Sequence, residues 1–327
     1  LAGDQRVSRL KVGPRLMTLS PRAPASGPPS ERRLSGLAHA LGCFSLWGLF
    51  PIYFKLLDRV APLEVLMHRI LWSVALLLAL LLWQGRGPVL LATFRDRRRL
   101  RFYLMTSVLI SANWLLYIWA VQNHRILEAS LGYYINPLVN VVLGVVVLQE
   151  RLNPRQWSAV AIAAAGVLIM VIGQGVFPWV ALALALSFGS YGLLRKKDGQ
   201  SAMLGLCVET ALLAPVAVLV LSVLAASGAG ALGARDRTTD LLLLAAGPVT
   251  VVPLVLFLEA GRRLPLSTLG LIQYLTPTLQ FLLGVLLYRE VFTVVHWATF
   301  GCIWIALALY SFDAYRLQNR QTPRPAA

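Results

Sequence analysis

Acidic side chains are scarce in this chain: 14 Asp and Glu stand against 30 Lys and Arg, and charged residues of both signs make up only 13% of the sequence. A soluble globular domain carries about 25% charged residues, so that class is excluded. Cysteine is nearly absent. Cys43, Cys207 and Cys302 each fall inside an apolar run and form no Cys-x-x-Cys spacing, so neither a disulfide nor a metal site is implied. Such thiols are mostly small packing groups. Catalytic signatures are missing too. Without Gly-x-x-x-x-Gly-Lys-Ser/Thr the chain encodes no ATP-driven pump. Without His-Glu-x-x-His or Gly-x-Ser-x-Gly it gives no support to a membrane metalloprotease or serine hydrolase. No cofactor and no catalytic residue is implied. The net charge of +16 would suit nucleic acid in a soluble protein. Here basic residues crowd the loops of a membrane protein instead, so the partners are membrane lipids and a small-molecule substrate, with no nucleic acid; a homodimer is compatible with this build.

What is abundant is apolar: 57% of residues are hydrophobic and the mean hydropathy is +0.69. Ten apolar segments follow one another, at 37–57, 64–83, 102–121, 128–148, 156–173, 176–194, 203–225, 240–260, 266–288 and 292–313. Each is about the 20 residues that span a bilayer as a helix. The expected fold is an all-α membrane protein of ten transmembrane helices. Residues 1–36, rich in Arg, Pro, Ser and Gly, hold no long apolar run; a disordered basic cytoplasmic tail is expected, not a cleavable secretion signal, and Met17 is a candidate start. Residues 314–327 form a second cytoplasmic tail. With ten spans, 23 of the 30 Lys and Arg fall on the side of the N-terminus, six on the other, and Arg69 within a segment. That asymmetry puts both termini in the cytoplasm.

The stretch Leu127–Arg155, LEASLGYYINPLVNVVLGVVVLQERLNPR, returns near the C-terminus as Pro265–Glu290. A shift of 140 superimposes Tyr134 on Tyr274, Pro137 on Pro277, Gly144 on Gly284, Glu150 on Glu290 and Trp157 on Trp297. Identities at one shift among uncommon residue types indicate an internal repeat. The halves are 37–173 and 174–313, with five helices each. An odd number of spans per half makes the repeats inverted, the usual build of a secondary transporter.

Polar residues inside spans are costly and so informative. Tyr133, Asn136 and Asn140 form one helical stripe in the fourth segment. Gln273, Pro277 and Gln280 form the matching stripe in the ninth, beside Tyr274. Interhelix hydrogen bonding is the bland reading of such groups. Recurrence of polarity at matched positions favours the lining of a central wet cavity, for a neutral or zwitterionic ligand with an apolar body. Pro137 and Pro277 free backbone carbonyls for a ligand or simply permit a kink. Asn113 and Tyr117, four apart in the third segment, and Trp47, beside Gly48 and Pro51 in the first, are further lining candidates; packing is an equal reading for Trp47. Tyr191-Gly192 in the sixth segment roughly matches Trp47-Gly48. Glu64, His68 and Arg69 open the second segment. A structural ion pair with Arg69 snorkelling outward is favoured there, ahead of a proton-responsive cluster of Glu64 and His68. Glu209, about two turns inside the seventh segment, is the other candidate for proton exchange. Glu150 and Glu290 read as interfacial salt bridges with Arg151, Arg155 and Arg289.

These residues also carry a likeness. Trp47-Gly48 with Pro51, Glu64 with His68-Arg69, Asn113-Trp114, LEASLGYYINPLVN, Tyr191-Gly192 with Arg195-Lys196, Glu209-Thr210 and LSTLGLIQYLTPTLQFLLG are collinear. Together, over about residues 37–313, they resemble the RarD branch of the EamA-type transporters in the drug/metabolite transporter superfamily. The resemblance implies ten helices in two five-helix halves in a bacterial inner membrane. Its members are linked by name to chloramphenicol resistance. Glu259 sits where the family is expected to have a small residue. The function expected is secondary transport of a small organic molecule, as an exporter coupled to protons or working by exchange. A membrane-embedded enzyme acting on a lipid-soluble substrate is the alternative; a binding or assembly protein without transport would need a long ordered soluble region, and the tails read as disordered.

Overall fold

A computed structural model describes residues 29–149, 153–175, 177–198, 200–264 and 266–321. It is built of helices, with no strand among the described residues. In chain order these are α1 (Pro29–Gly48), α2 (Phe50–Lys55), α3 (Pro62–Trp83), α4 (Gly87–Arg95), α5 (Arg97–Gln122), α6 (Ile126–Leu148), α7 (Pro154–Gln174) and α8 (Trp179–Asp198). Then come α9 (Ala202–Ala226), α10 (Arg237–Gly261), α11 (Leu266–Ile272), α12 (Leu275–Leu282), a π-helical turn (Leu283–Leu287) and α13 (Val294–Gln321). Among the described residues, nine stretches are long and apolar enough to cross a membrane, and α8 holds a shorter apolar stretch, Trp179–Arg195. The ten apolar segments of the sequence each fall on a helix or a pair of helices, but α1 begins at Pro29 and α13 runs on to Gln321, so helix extends eight residues into each of the stretches expected as tails, 1–36 and 314–327.

Helix starts are fixed by side chains that satisfy the first free amides. Asp96 accepts from the amides of Arg98 and Arg99 at 2.9 and 3.2 Å at the head of α5. Asn153 and Gln156 form a reciprocal capping box at α7. Ser201 and Asp236 cap α9 and α10. The connection 84–101 contains α4, a short apolar helix that buries Leu90 and Thr93 and ends at Arg95.

The helices pack in particular pairs: α3 with α9 and α10, α5 with α8 and α9, α1 with α10 and α12, α6 with α8 and α12, and α7 with α13. Small residues permit the closest approaches. A β-carbon at Gly132 would come 2.7 Å from the Ala181 carbonyl oxygen, and one at Gly247 would come 2.6 Å from that of Trp72.

Two spans are broken. α1 ends at Gly48, and the helix resumes at Phe50 with Pro51 in its first turn. Gly48 lies against Leu279 of α12. The ninth segment breaks at Gln273-Tyr274, between α11 and α12. Pro277 has no amide to give the carbonyl of Gln273; that carbonyl accepts instead from Thr276 N at 3.1 Å. Pro137 acts differently, since α6 runs unbroken through it.

Candidate functional site

Arg69 is the side chain whose placement differs most from expectation. It does not snorkel. It is 6% exposed and makes no ion pair with a carboxylate among the described residues. Its guanidinium carbon lies 4.0 Å from the ring centroid of Trp114, 5.6 Å from that of Phe50 and 5.7 Å from that of Phe54. Nε donates to the Thr250 hydroxyl at 2.9 Å, and Tyr53, Tyr117 and Tyr133 lie within electrostatic reach. α2, α3, α5, α6 and α10 thus converge on one buried cation. Cation–π attraction offsets part of the cost of burying it.

The expected Glu64–Arg69 pair is replaced by another contact. Glu64, 4% exposed, accepts from the backbone amide of Ala231 at 2.6 Å. A carboxylate at the head of α3 therefore ties down the loop between α9 and α10. His68 Nδ1 accepts from Trp72 Nε1 at 3.3 Å, which leaves Nε2 buried without a partner.

Tyr117 and Tyr133 stand side by side, ring centroids 5.7 Å apart. The Tyr117 hydroxyl and the Asn136 Oδ1 are buried and unpartnered. Asn113 donates to the Leu184 carbonyl at 3.1 Å and the Ser187 hydroxyl at 2.8 Å, holding α5 to α8, with its own Oδ1 left over.

The two amides three residues after the prolines differ. Gln280 is 2% exposed and donates to the Trp47 carbonyl at 3.2 Å, so it bridges α12 and the end of α1; its Oε1 is buried and unpartnered. Asn140 is exposed and borders Gly189 of α8. Gln273 is exposed at the break of the ninth segment. Trp47 packs on Phe44 and Phe257. Tyr274 stacks on Tyr134, with centroids 6.5 Å apart, and the Tyr134 hydroxyl meets that of Thr278 at 2.7 Å.

Glu209 is fully buried. It accepts from the Thr106 hydroxyl at 2.8 Å and the Tyr191 hydroxyl at 3.0 Å, with Arg195 Nε at 3.8 Å. Arg195 also binds Asp198 at 2.7 Å and the Tyr103 hydroxyl at 3.2 Å, and it lies across Gly205 of α9. Tyr191 therefore belongs to a polar cluster joining α5, α8 and α9. Glu290 is not paired with Arg289. Its two oxygens accept from the amides of Ile126 and Leu127 at 2.7 and 2.8 Å, capping α6. Burial raises its pKa above the ordinary carboxylate value, and those two bonds pull the other way. Glu150 lies outside the described residues. Glu259 pairs with Arg262 and Arg263.

The profile of the EamA-like transporter family matches residues 34–172. An uncharacterised transporter of Pseudomonas aeruginosa is 47% identical over 292 residues, 89% of this chain and 97% of its own. Protein RarD of Escherichia coli is 45% identical over 291 residues, 89% of this chain and 98% of its own. The chain belongs to the RarD branch of the EamA-like transporter family. A crystal structure at 18% identity superimposes with a TM-score of 0.57 over 87% of this chain and 99% of that one, a likeness of fold alone.

In this EamA-like chain, sequence reasoning passed over Arg69, Thr250, Phe50 and Phe54 as parts of a site. A signal existed for Arg69. Lys55 lies at the very end of the first segment, whereas Arg69 lies more than a turn inside the second, and an intramembrane cation is a functional candidate by default. Thr250 and the two Phe carry no signal of their own. Among the described residues no group of His, Cys, Asp and Glu could hold a metal ion.

Proposed function

We propose that this chain is a secondary transporter that exports a small organic metabolite or drug across the bacterial inner membrane by alternating access. The reading takes the chain as ten spans in two inverted five-helix repeats, 37–173 and 174–313, with both termini cytoplasmic. One observation carries it. Exchanging the halves turns the pairs α3–α9, α7–α13 and α6–α12 into themselves. The same exchange turns α1–α12 into α8–α6, α1–α10 into α8–α5, and α3–α10 into α9–α5. Details follow the same exchange. Gln149 and Arg289, one shift of 140 apart, both adopt left-handed backbone, φ 56° and 50°. Gly48 abuts Leu279 as Gly189 abuts Val139, so Gly189 rather than Gly192 is the better counterpart of Gly48. Tyr134 and Tyr274 stack where the halves meet. Two similar bundles related in this way can trade conformations, opening a shared site to either side.

The ligand-facing residues in this reading are Tyr117, Tyr133, Asn136 and Gln280, whose buried polar atoms lack partners or adjoin ones that do. Trp47, whose carbonyl accepts from Gln280, joins them, and Asn113, Asn140, Gln273 and Tyr274 are further candidates in this reading. Glu209 is the coupling candidate favoured over Glu64 and His68, because a network linking α5, α8 and α9 would reorganise on its protonation. The transporter names of relatives agree with a chain that has no catalytic step. Purified protein in liposomes should move members of a broad metabolite panel. Folded protein that moves none of them sinks the reading. Glu209→Gln should abolish any dependence of transport on a proton gradient.

A further inference from the structure

Arg69 is a permanent charge deep in an apolar bundle, and no described carboxylate answers it. A guanidinium offers five N–H donors in a planar fork. One of them is used, by Thr250. The remaining nitrogens make no hydrogen bond to a described residue. Trp114 covers one face of the charge, and Phe50 and Phe54 crowd its edge. The Tyr117 hydroxyl, within electrostatic reach, is buried and unpartnered. Structural arginines in proteins pair with carboxylates, as Arg195 does with Asp198 and Arg263 with Glu259. Here the acid nearest in sequence, Glu64, is committed to the amide of Ala231. What the site lacks is an anion.

We propose that Arg69 is the anion-binding residue of the transport site, and that the substrate is a small amphiphilic organic anion. Its carboxylate or phosphate would take the free fork of Arg69 together with the Tyr117 hydroxyl. Its apolar body would lie against the rings of Phe50, Phe54, Trp114 and Tyr133. Two N–H bonds to one oxyanion are strong and directional, and in a dry aromatic surround they discriminate against neutral analogues. The sequence alone favoured a neutral or zwitterionic ligand, from its aromatic and amide-rich lining; an inward Arg69 adds an unpaired cation to that lining. This proposal rests on the transporter reading above.

The test uses the full chain in neutral detergent and reads thermal stabilisation by matched pairs: phenylacetate against phenylacetamide, hexanoate against hexanamide, and phenyl phosphate against phenol. The expected result is stabilisation by anions over their neutral partners. Arg69→Gln should weaken that binding by about ten- to a hundred-fold, and Arg69→Lys by less, since it keeps the charge but not the fork. The pairs on unmodified protein decide the matter even if the variants fold poorly. Equal stabilisation within every pair, none by any anion, or stabilisation by phosphatidylglycerol alone would overturn the proposal. Liposome transport of the same compounds separates the two readings. Neutral solutes carried by protein that binds no anion would refute the anion site and leave the transporter. Anions bound tightly but never moved would refute the transporter and leave the site.

Discussion

Glu290 ties the end of the ninth segment to the head of α6, and its removal is a measurable perturbation. It follows the ninth segment and caps α6, the helix that carries Tyr133, Asn136 and Asn140. Ile126 is fully buried and Leu127 is 5% exposed, so water cannot readily replace the carboxylate. Glu290→Ala leaves two buried amides without acceptors. At about 1–3 kcal/mol for each unsatisfied group, and with the apolar methyl recovering little, we expect a loss of about 2–6 kcal/mol. Glu290→Gln keeps one acceptor and removes a buried charge, so it should cost about 1 kcal/mol or less. The pH dependence follows from the sign of the shift. Burial raises the folded pKa above the ordinary value of 4.5. The folded state therefore binds the proton more tightly than the unfolded one. Stability from this group is full below the ordinary value and declines as pH rises through the folded pKa. Chemical unfolding in detergent micelles across that range should show the decline in the unmodified protein and a flatter profile in Glu290→Gln. Equal midpoints for Glu290→Ala and the unmodified protein, or equal costs for Ala and Gln, would refute the capping argument.

Other expectations can be checked separately. Single cysteines at Asn123 and Ala229, in a background lacking the native three, should be labelled from outside intact cells, and one at Arg97 only after permeabilisation; the reverse pattern overturns the orientation. Gln280→Leu should lower stability by about 1 kcal/mol through loss of the bond to Trp47, whereas Asn140→Leu should change it by less than about 0.5 kcal/mol; a matched pair of thermal transitions tests the contrast, and equal losses would show that the two amides do the same job. Gly247→Ala should destabilise by about 1–3 kcal/mol, because the new methyl meets the backbone of α3 rather than a yielding side chain; an unchanged unfolding midpoint would mean that the α3–α10 contact is looser than described.

Much of the architecture was legible in the sequence. Hydropathy is a local property, and the bilayer requires that each span satisfy its own backbone, so ten apolar runs map onto helices without knowledge of their neighbours. The repeat reading rests on five residues that recur at one shift of 140. The break at Gln273-Tyr274 was signalled by Pro277, but the unbroken α6 at Pro137 was not. Proline removes one backbone bond in both cases, and the surroundings decide whether the helix bends or parts.

What the sequence by itself determined is therefore the membrane class, the places of the long apolar helices and the family. What the tertiary structure decided is who faces whom. Glu64 and Arg69 lie five apart in one helix, close enough to read as a pair, yet one meets Ala231 and the other meets Thr250 and three aromatic rings. Asn140 and Gln280 each stand three residues after a proline, one shift of 140 apart, and differ in burial. Position along a helix fixes height and face to within a turn. The partner on that face comes from another helix, often more than a hundred residues away, and no local pattern encodes it.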